Sequence, residues 1–337
     1  MLWARAEGCR VWDETGREYL DLSGGFGVAA LGHRNPRVME AIASAPVVHA
    51  LGDLADAEVT QRFRRALPWP AKLGVTGEDA VEIALRTALL ATGKPGIVAF
   101  DGAYHGAGLL ALAATGFERF REPFAAWLPG PVHRRPYGED PGELPDDTCC
   151  VIAEPVQGRA GARVPPAGWL EILRRRCDDA GALLVVDAIY AGLGRTGELW
   201  PGEEVADVLC VGKALGGGLP LSAALFVKTD LARAWHLGPE DVMTHTHAGN
   251  PLACAAALVV LEEVPKLLDR VREAGERFEA AGWHGAGLMR ARPGDAQAAE
   301  ANGVIVIPAG EDGSLISATP PLTITDEEIQ EALSRLS

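Results

Sequence analysis

Short apolar runs alternate with longer segments of helical periodicity from about Gly96 onward, and this alternation constrains the fold most. Five of these runs are strand candidates, at residues 97–100, 150–154, 183–187, 208–211 and 223–227. Continuous rather than alternating apolar residues are typical of strands that helices cover on both faces. The sequence therefore predicts an α/β fold around a mostly parallel central sheet.

Helical periodicity occupies the segments between these runs, most clearly at residues 79–91 and 168–180. A longer helix is predicted after Asn250, which is suited to cap it while Pro251 takes the first helical position. Near the start of the chain, residues 9–22 favour a hairpin with its turn at residues 14–16. We expect residues 1–45 and 252–337 to form a small α+β domain beside a large domain of residues 46–251.

The chain is acidic, with 46 Asp and Glu against 31 Lys and Arg and a formal net charge of −15. This charge repels phosphate backbones and no basic patch offsets it, so nucleic acid is not an expected partner. The longest uncharged apolar stretch, residues 251–261, is much shorter than the roughly 18 residues of a membrane helix. Six cysteines without CxxC spacing indicate reduced core thiols, a cytoplasmic protein and no metal site.

Two residues of opposite charge, Asp187 and Lys213, follow the ends of neighbouring strand candidates. A buried lysine loses its proton readily and can form an imine, and the glycines that surround Lys213 let a flat ligand approach. A carboxylate that faces a pyridine nitrogen keeps that nitrogen protonated. The pair therefore indicates a pyridoxal phosphate site, although an ordinary ion pair beside a glycine-rich turn is an equally good interpretation of these two residues alone.

Seven further segments add to this pair. In chain order they are EYLDLSGGFGV (18–28), LGHRNP (31–36), FDGAYHG (100–106), EPVQG (154–158), GRTG (194–197), GNPLACAAA (249–257) and PPLTI (320–324). Together they resemble the class III (ω-amino) aminotransferases, which are pyridoxal 5′-phosphate enzymes of fold type I. One such segment is a weak signal, whereas seven in order with compatible spacing are specific.

The resemblance implies that Lys213 carries the cofactor as an internal aldimine and moves a proton between the substrate Cα and the cofactor C4′. Asp187 would pair with the pyridine nitrogen. Tyr104 and Ile189 would cover the two faces of the ring. The phosphate would lie on free backbone N–H groups of a helix that starts near Gly77.

Further cofactor contacts implied by the resemblance are Glu78, His105, Glu154 and Gln157. For His105, packing beside the ring is as good an interpretation as catalysis. Thr246 resembles a threonine that reaches the phosphate of the neighbouring subunit, which implies a homodimer.

Two positions near the cofactor depart from the family pattern. Tyr190 stands where a glutamine commonly bonds the phenolic oxygen, and its hydroxyl could make a similar bond. Glu78 would place negative charge near the phosphate unless its side chain turns outward. The chain is also shorter at both ends than family members, which predicts a more open pocket that accepts a bulky amine.

The substrate pocket departs further. Ser317 stands where many members carry a carboxylate-binding arginine, and Arg159 stands where they carry its glutamate partner. Arg159 therefore either binds a carboxylate from the opposite wall or is a solvated surface residue. Phe26 takes the place of a pocket aromatic and favours an apolar contact with the amine.

We therefore expect an aminotransferase that passes an amino group from an amine or amino acid to a keto acid or aldehyde by ping-pong chemistry. One alternative is an aminomutase or amino-acid epimerase with the same cofactor. Another is a catalytically silent binding subunit of the same fold.

Overall fold

The computed structural model describes residues 1–51, 55–235, 243 and 245–337. Its strands are β1 (Trp3–Glu7), β2 (Arg10–Asp13), β3 (Glu18–Asp21), β4 (Ala71–Gly74), β5 (Gly96–Phe100), β6 (Val132–Arg135), β7 (Thr148–Ala153), β8 (Leu183–Asp187), β9 (Val208–Val211), β10 (Ser222–Phe226), β11 (His284–Ala286), β12 (Met289–Pro293), β13 (Val304–Ile305), β14 (Ile307–Ala309) and β15 (Leu315–Ala318). The α-helices are α1 (Gly24–Gly27), α2 (Pro36–Ala43), α3 (Glu58–Ala66), α4 (Gly77–Thr92), α5 (Leu109–Ala114), α6 (Glu118–Arg121), α7 (Trp169–Ala180), α8 (Pro251–Glu263), α9 (Leu268–Ala280), α10 (Ala296–Ala301) and α11 (Asp326–Arg335). Four 3-10 turns cover Glu122–Trp127, Lys213–Gly216, Thr229–Trp235 and Val264–Leu267.

The central sheet has seven strands in the order β4-β10-β9-β8-β7-β5-β6. Strand β10 is antiparallel to both of its neighbours, whereas all other pairs in this sheet are parallel. The five predicted strands are all present, with ends within two residues of the prediction. The predicted α/β fold with a mostly parallel sheet is therefore confirmed.

Hydrophobic cores cover both faces of the central sheet. Along β8, Leu184 and Val186 face the core that contains Trp169 of α7. Leu183 and Val185 face the opposite core, which contains Ile83 of α4. Because successive side chains of a strand point to opposite faces, this two-sided burial explains why the strand sequences are apolar without interruption.

The predicted helix starts are accurate where a cap directs them. The Asn250 side chain accepts hydrogen bonds from the backbone N–H groups of Leu252 and Ala253, and Pro251 is the first helical residue of α8. The helix predicted at residues 79–91 is α4, which begins at Gly77 and runs to Thr92.

Two four-stranded sheets lie outside the central one, in the orders β1-β2-β3-β13 and β11-β12-β15-β14. The predicted hairpin is the antiparallel pair β2 and β3, and the Asp13 carboxylate accepts from the Thr15 and Arg17 N–H groups in its turn. The smaller sheets use residues 3–21 and 284–318, and the central sheet uses residues 71–226. The division into domains at residues 45 and 251 stays a prediction.

The six cysteines are buried and free, as predicted. Within the described ranges, no group of three or more histidine, cysteine or acidic side chains could hold a metal ion. No helix in the same ranges is long and apolar enough to cross a membrane.

Candidate active site

Three polar side chains follow the carboxyl ends of three adjacent strands. Glu154 follows β7, Asp187 ends β8, and Lys213 lies two residues after β9. In open α/β sheets, ligands bind in the crevice outside these strand ends. A cavity of about 300 Å³ opens there, and ten of its lining residues are predicted site residues, namely Gly77, Glu78, Tyr104, His105, Glu154, Arg159, Asp187, Ile189, Tyr190 and Lys213.

Lys213 projects into this cavity from a strained backbone. Its φ angle is +39°, which is unusual for a residue with a side chain, and such conformations cluster at active sites. The Nζ atom lies 4.2 Å from the centroid of the Tyr190 ring. Burial lowers the pKa of the Lys213 ammonium group, and the Asp187 and Glu154 carboxylates oppose this shift only in part. A larger fraction of the amine is therefore neutral and nucleophilic than in a solvent-exposed lysine.

The Asp187 carboxylate is held at both oxygens. Oδ2 lies 2.7 Å from Nδ1 of His105, and Oδ1 accepts a 3.1 Å hydrogen bond from the Ile189 N–H group. His105 is buried, and its Nε2 atom has no hydrogen-bond partner among the described residues. His105 thus does more than pack beside the cavity, because it fixes the orientation of the carboxylate.

Glu154 is the second buried carboxylate of the cavity. Its Oε1 atom accepts a 2.9 Å hydrogen bond from the Tyr104 N–H group. Burial raises the pKa of Glu154 well above its usual range, and the nearby Asp187 charge raises it further. Burial next to a second carboxyl group thus makes the charged form of Glu154 less favourable than it is in water.

The amino end of α4 forms another wall. The N–H groups of Gly77 and Glu78 have no hydrogen-bond partner in the described part of the chain. Free N–H groups and the positive end of the helix dipole attract an anion. A methyl group on Gly77 would lie 3.0 Å from Cγ2 of Ile189, so this close approach requires glycine or a shift of the isoleucine.

The side chain of Glu78 points away from the free N–H groups at the start of α4. Its Oε2 atom accepts hydrogen bonds of 2.8 Å and 3.0 Å from the N–H groups of Ala107 and Gly108. The negative charge that the sequence places beside the helix start is thus directed to a neighbouring loop. Asp79 in turn accepts from the N–H groups of Val75 and Thr76.

Arg159 enters the cavity beside two aromatic rings. Its guanidinium carbon lies 4.8 Å from the ring centroid of Tyr104 and 5.0 Å from that of Phe120. The Nε atom is buried and has no hydrogen-bond partner among the described residues. Arg159 is thus half-buried and in contact with the cavity, rather than a solvated surface residue.

Four predicted site residues do not line the cavity of this single chain. Phe26 is 53% exposed and has a φ of +61°. Gln157 is buried and donates to the Asp101 carbonyl oxygen. Thr246 lies on the surface, and Ser317 is buried in β15 with no partner for its hydroxyl among the described residues.

Sequence reasoning missed two residues of the site. Phe120 contacts both Tyr104 and Arg159, and Thr319 lies 3.2 Å from the Tyr190 hydroxyl while it donates to the Ser23 carbonyl oxygen. Neither contact has a local signal, because the partners lie 16 or more residues away. The segment PPLTI directly follows Thr319 and was the one available pointer to that position.

Comparison with known proteins decides the family. The sequence profile of aminotransferase class-III matches residues 1–281. The chain belongs to this family. The acetylornithine aminotransferase of Methanopyrus kandleri is 35% identical to it, over 98% of this chain and 92% of that protein. The 2-aminoadipate transaminase of Pseudomonas putida is 33% identical, over 97% of this chain and 92% of that protein.

Solved structures agree with the class-III assignment. The ornithine aminotransferase of Toxoplasma gondii superimposes with a TM-score of 0.89 and 27% identity, over 99% of this chain and 89% of that one. An amine transaminase from an uncultivated Pseudomonas species superimposes with a TM-score of 0.86 and 27% identity, over 100% of this chain and 93% of that one. The class-III chain therefore has fold type I and is an aminotransferase whose cofactor is pyridoxal 5′-phosphate.

The residues of the cavity fit this cofactor. Lys213, with its lowered pKa, suits the carbonyl carbon of pyridoxal 5′-phosphate, and the oriented carboxylate of Asp187 suits the pyridine nitrogen of the cofactor. The unpaired N–H groups at the start of α4 suit the cofactor phosphate. Tyr104 and Ile189 supply an aromatic and an aliphatic side chain for the two faces of a flat ring.

Proposed function

We propose that this aminotransferase passes the amino group of an amine, ω-amino acid or amino acid to a keto acid or aldehyde by a ping-pong mechanism. One observation carries the proposal. Glu154, Asp187 and Lys213 meet at the ends of three adjacent strands, where burial lowers the pKa of the Lys213 ammonium group. The names of the relatives, which include acetylornithine, 2-aminoadipate and 5-aminovalerate aminotransferases, support amino acid donors of this kind.

The cofactor, when bound, supplies an electron-accepting ring that stabilises negative charge at the reacting carbon. In our proposal Lys213 holds the cofactor through Nζ and moves the proton at the substrate Cα. Asp187, oriented by His105, faces the pyridine nitrogen. The N–H groups of Gly77 and Glu78 bind the phosphate. These assignments are supported by the placement of each residue at the wall of one cavity.

Around these residues we assign four supporting contacts. Tyr104 and Ile189 pack on the ring faces, and the Tyr190 hydroxyl, which now lies near Thr319, bonds the phenolic oxygen. Glu154 supports the loop that carries Tyr104 through its hydrogen bond to the Tyr104 N–H group.

We further propose a cytoplasmic homodimer in which Thr246 reaches the cofactor phosphate of the neighbouring subunit. The surface position of Thr246, outside the cavity of its own chain, supports this arrangement. The six free cysteines support a reducing compartment. Thr246→Ala should weaken cofactor binding without changing the mass of the particle in solution, which light scattering measures.

The test of the reaction uses the holoenzyme and its visible absorption spectrum. Donors are added one at a time, and a productive donor should remove the absorption band of the bound cofactor until a keto acid restores it. Turnover with a single substrate and no acceptor would instead indicate an aminomutase or epimerase. Absence of any cofactor band would favour a silent subunit.

The test of Lys213 combines loss of activity with a chemical readout. Lys213→Ala should abolish transamination, whereas Lys266→Ala removes an exposed lysine that does not line the cavity and should leave the rate unchanged. Borohydride reduction followed by peptide mass spectrometry should place the cofactor mass on Lys213. Appreciable transamination by Lys213→Ala, or the cofactor mass on another lysine, would refute the assignment.

A further inference from the structure

We propose that Arg159 binds the carboxylate of the substrate and that Phe120, together with Tyr104, orients its guanidinium group for this task. The inference rests on the proposed function and names its substrate class. The preferred donor or acceptor carries a carboxylate that lies within reach of Arg159 while its amine or carbonyl carbon lies at Lys213.

Arg159 is a cation without an acidic partner among the described residues. Within the described ranges, no ion pair or side-chain hydrogen bond is found for Arg159, and its Nε atom is buried without a partner. Arg174, which is comparably enclosed, pairs with Asp207 at 2.6 Å and with Asp178 at 2.8 Å. Removing a charge from water without a partner is costly. A guanidinium at the wall of a cavity is therefore expected to bind an anion that enters it.

The two aromatic rings fix the orientation of the Arg159 side chain. Tyr104 and Phe120 meet at an interplanar angle of 69° with centroids 5.5 Å apart, and the guanidinium carbon lies within 5.0 Å of both. An arginine stacked on aromatic faces keeps the N–H groups at its edge free. These groups match the two oxygens of a carboxylate in a fork geometry.

The backbone of Arg159 is held as firmly as its side chain. Its carbonyl oxygen accepts a 3.0 Å hydrogen bond from the Gly310 N–H group. A methyl group on Gly158 would lie 2.6 Å from Cδ1 of Tyr190, and one on Gly161 would overlap Cδ1 of Leu315. Both neighbouring segments are thus packed closely against other parts of the chain.

Arg159 is the cationic side chain of the cavity that is available to bind a substrate carboxylate. Lys213 is committed to the reacting carbon, and the free N–H groups at Gly77 and Glu78 suit the phosphate. Arg159 is the remaining cation among the described residues that line the cavity.

The chain offers a matched control in Arg119. This arginine also stacks on Phe120, with its guanidinium carbon 5.0 Å from the ring centroid, but it does not line the cavity. It donates to the carbonyl oxygens of Gly310 and Glu311, which belong to the loop that holds the Arg159 backbone. Arg119→Gln therefore reproduces the loss of a stacked cation and any disturbance of that loop.

The experiment compares two donors of equal length, 5-aminopentanoate and pentylamine, in the half-reaction of the holoenzyme. Arg159→Gln should raise the apparent Kd for 5-aminopentanoate at least tenfold and change that for pentylamine less than twofold. Arg159→Lys, which keeps the charge without the fork, should give an intermediate loss. Phe120→Leu should lower the preference for the carboxylate severalfold, and Arg119→Gln should leave it unchanged.

Binding of pentanoate, which cannot react, is measured by calorimetry on the same variants and should follow the same order. Equal losses for 5-aminopentanoate and pentylamine would overturn the inference. Weakened cofactor binding in Arg159→Gln with an unchanged donor preference would also overturn it, in favour of an arginine that binds the phosphate. If the wild-type holoenzyme reacts with no donor at all, the proposed function itself fails. This result is distinct from the two outcomes that overturn only the inference about Arg159.

Discussion

The His105–Asp187 pair predicts a measurable loss of stability in the protein freed of cofactor. Both side chains are buried, and Nδ1 and Oδ2 are 2.7 Å apart. In His105→Phe, Oδ2 of Asp187 loses this partner, while Oδ1 keeps the Ile189 N–H group. The unfolding free energy is expected to fall by roughly 2–4 kcal/mol. This range lies between the net contribution of a hydrogen bond to a charged group and the cost of leaving a buried ion without its partner.

The assay is urea unfolding followed by circular dichroism in a double-mutant cycle with Asp187→Asn. The cycle should give a coupling energy of about 1.5–3 kcal/mol, because the two side chains contact each other directly. A matched control is His33→Phe, which removes a histidine whose Nε2 is also 2.7 Å from an aspartate, Oδ2 of Asp21, but outside the cavity. It should lower stability and leave cofactor affinity unchanged.

Two results would refute this reasoning. One is a coupling energy below about 0.5 kcal/mol, the size of measurement error between independent sites. The other is a loss of cofactor affinity in His33→Phe as large as in His105→Phe, because the effect would then reflect general destabilisation rather than the orientation of Asp187.

Three further predictions concern single residues. Asn250→Ala removes the cap of α8 and should cost about 1 kcal/mol of unfolding free energy in urea titrations, with Asn250→Asp as the conservative control. Gly77→Ala should weaken cofactor binding at least fivefold in fluorescence titration, because the new methyl group displaces Ile189, while stability stays within about 1 kcal/mol since alanine suits a helix. The pKa of Glu154 is higher in the folded chain than in the unfolded one. Protonated Glu154 therefore contributes its whole share of the unfolding free energy below about pH 4.3, the unfolded pKa of a glutamate. This share is lost as the pH rises through the folded pKa. Glu154→Gln keeps an acceptor for Tyr104 and should be more stable than wild type at pH 8, with a difference that shrinks towards pH 4; a gap independent of pH would contradict this assignment.

The sequence was sufficient for the central strands because they are buried on both faces. It was insufficient for β6, whose residues are all half-buried and include His133, Arg134 and Arg135. Strand β1 is mostly exposed and likewise has no continuous apolar run. Such edge strands form through pairing with a neighbour, which a local pattern of hydrophobicity does not record.

The same distinction applies to the site. Asp187 and Lys213 could be placed together because both follow strands, and the edge of a parallel sheet gathers such residues. Arg159 contacts Phe120 of α6, which lies 39 residues earlier in the chain. The hydrogen bond between His105 and Asp187 joins residues 82 positions apart. No local spacing encodes either contact, so they emerge only from the packed structure.

The pairing of β13 with β3 has a consequence for synthesis on the ribosome. The N–H groups of Leu20 and Leu22 donate to the carbonyl oxygens of Gly303 and Ile305, some 280 residues later in the chain. At roughly 5–20 residues per second, the ribosome reaches β13 about 15–60 s after it has made β3. The nascent hairpin therefore exposes an unpaired strand edge throughout this interval, and such edges are templates for aggregation. A slower start to translation would not protect it, whereas a chaperone that covers the first strands until residue 305 emerges would.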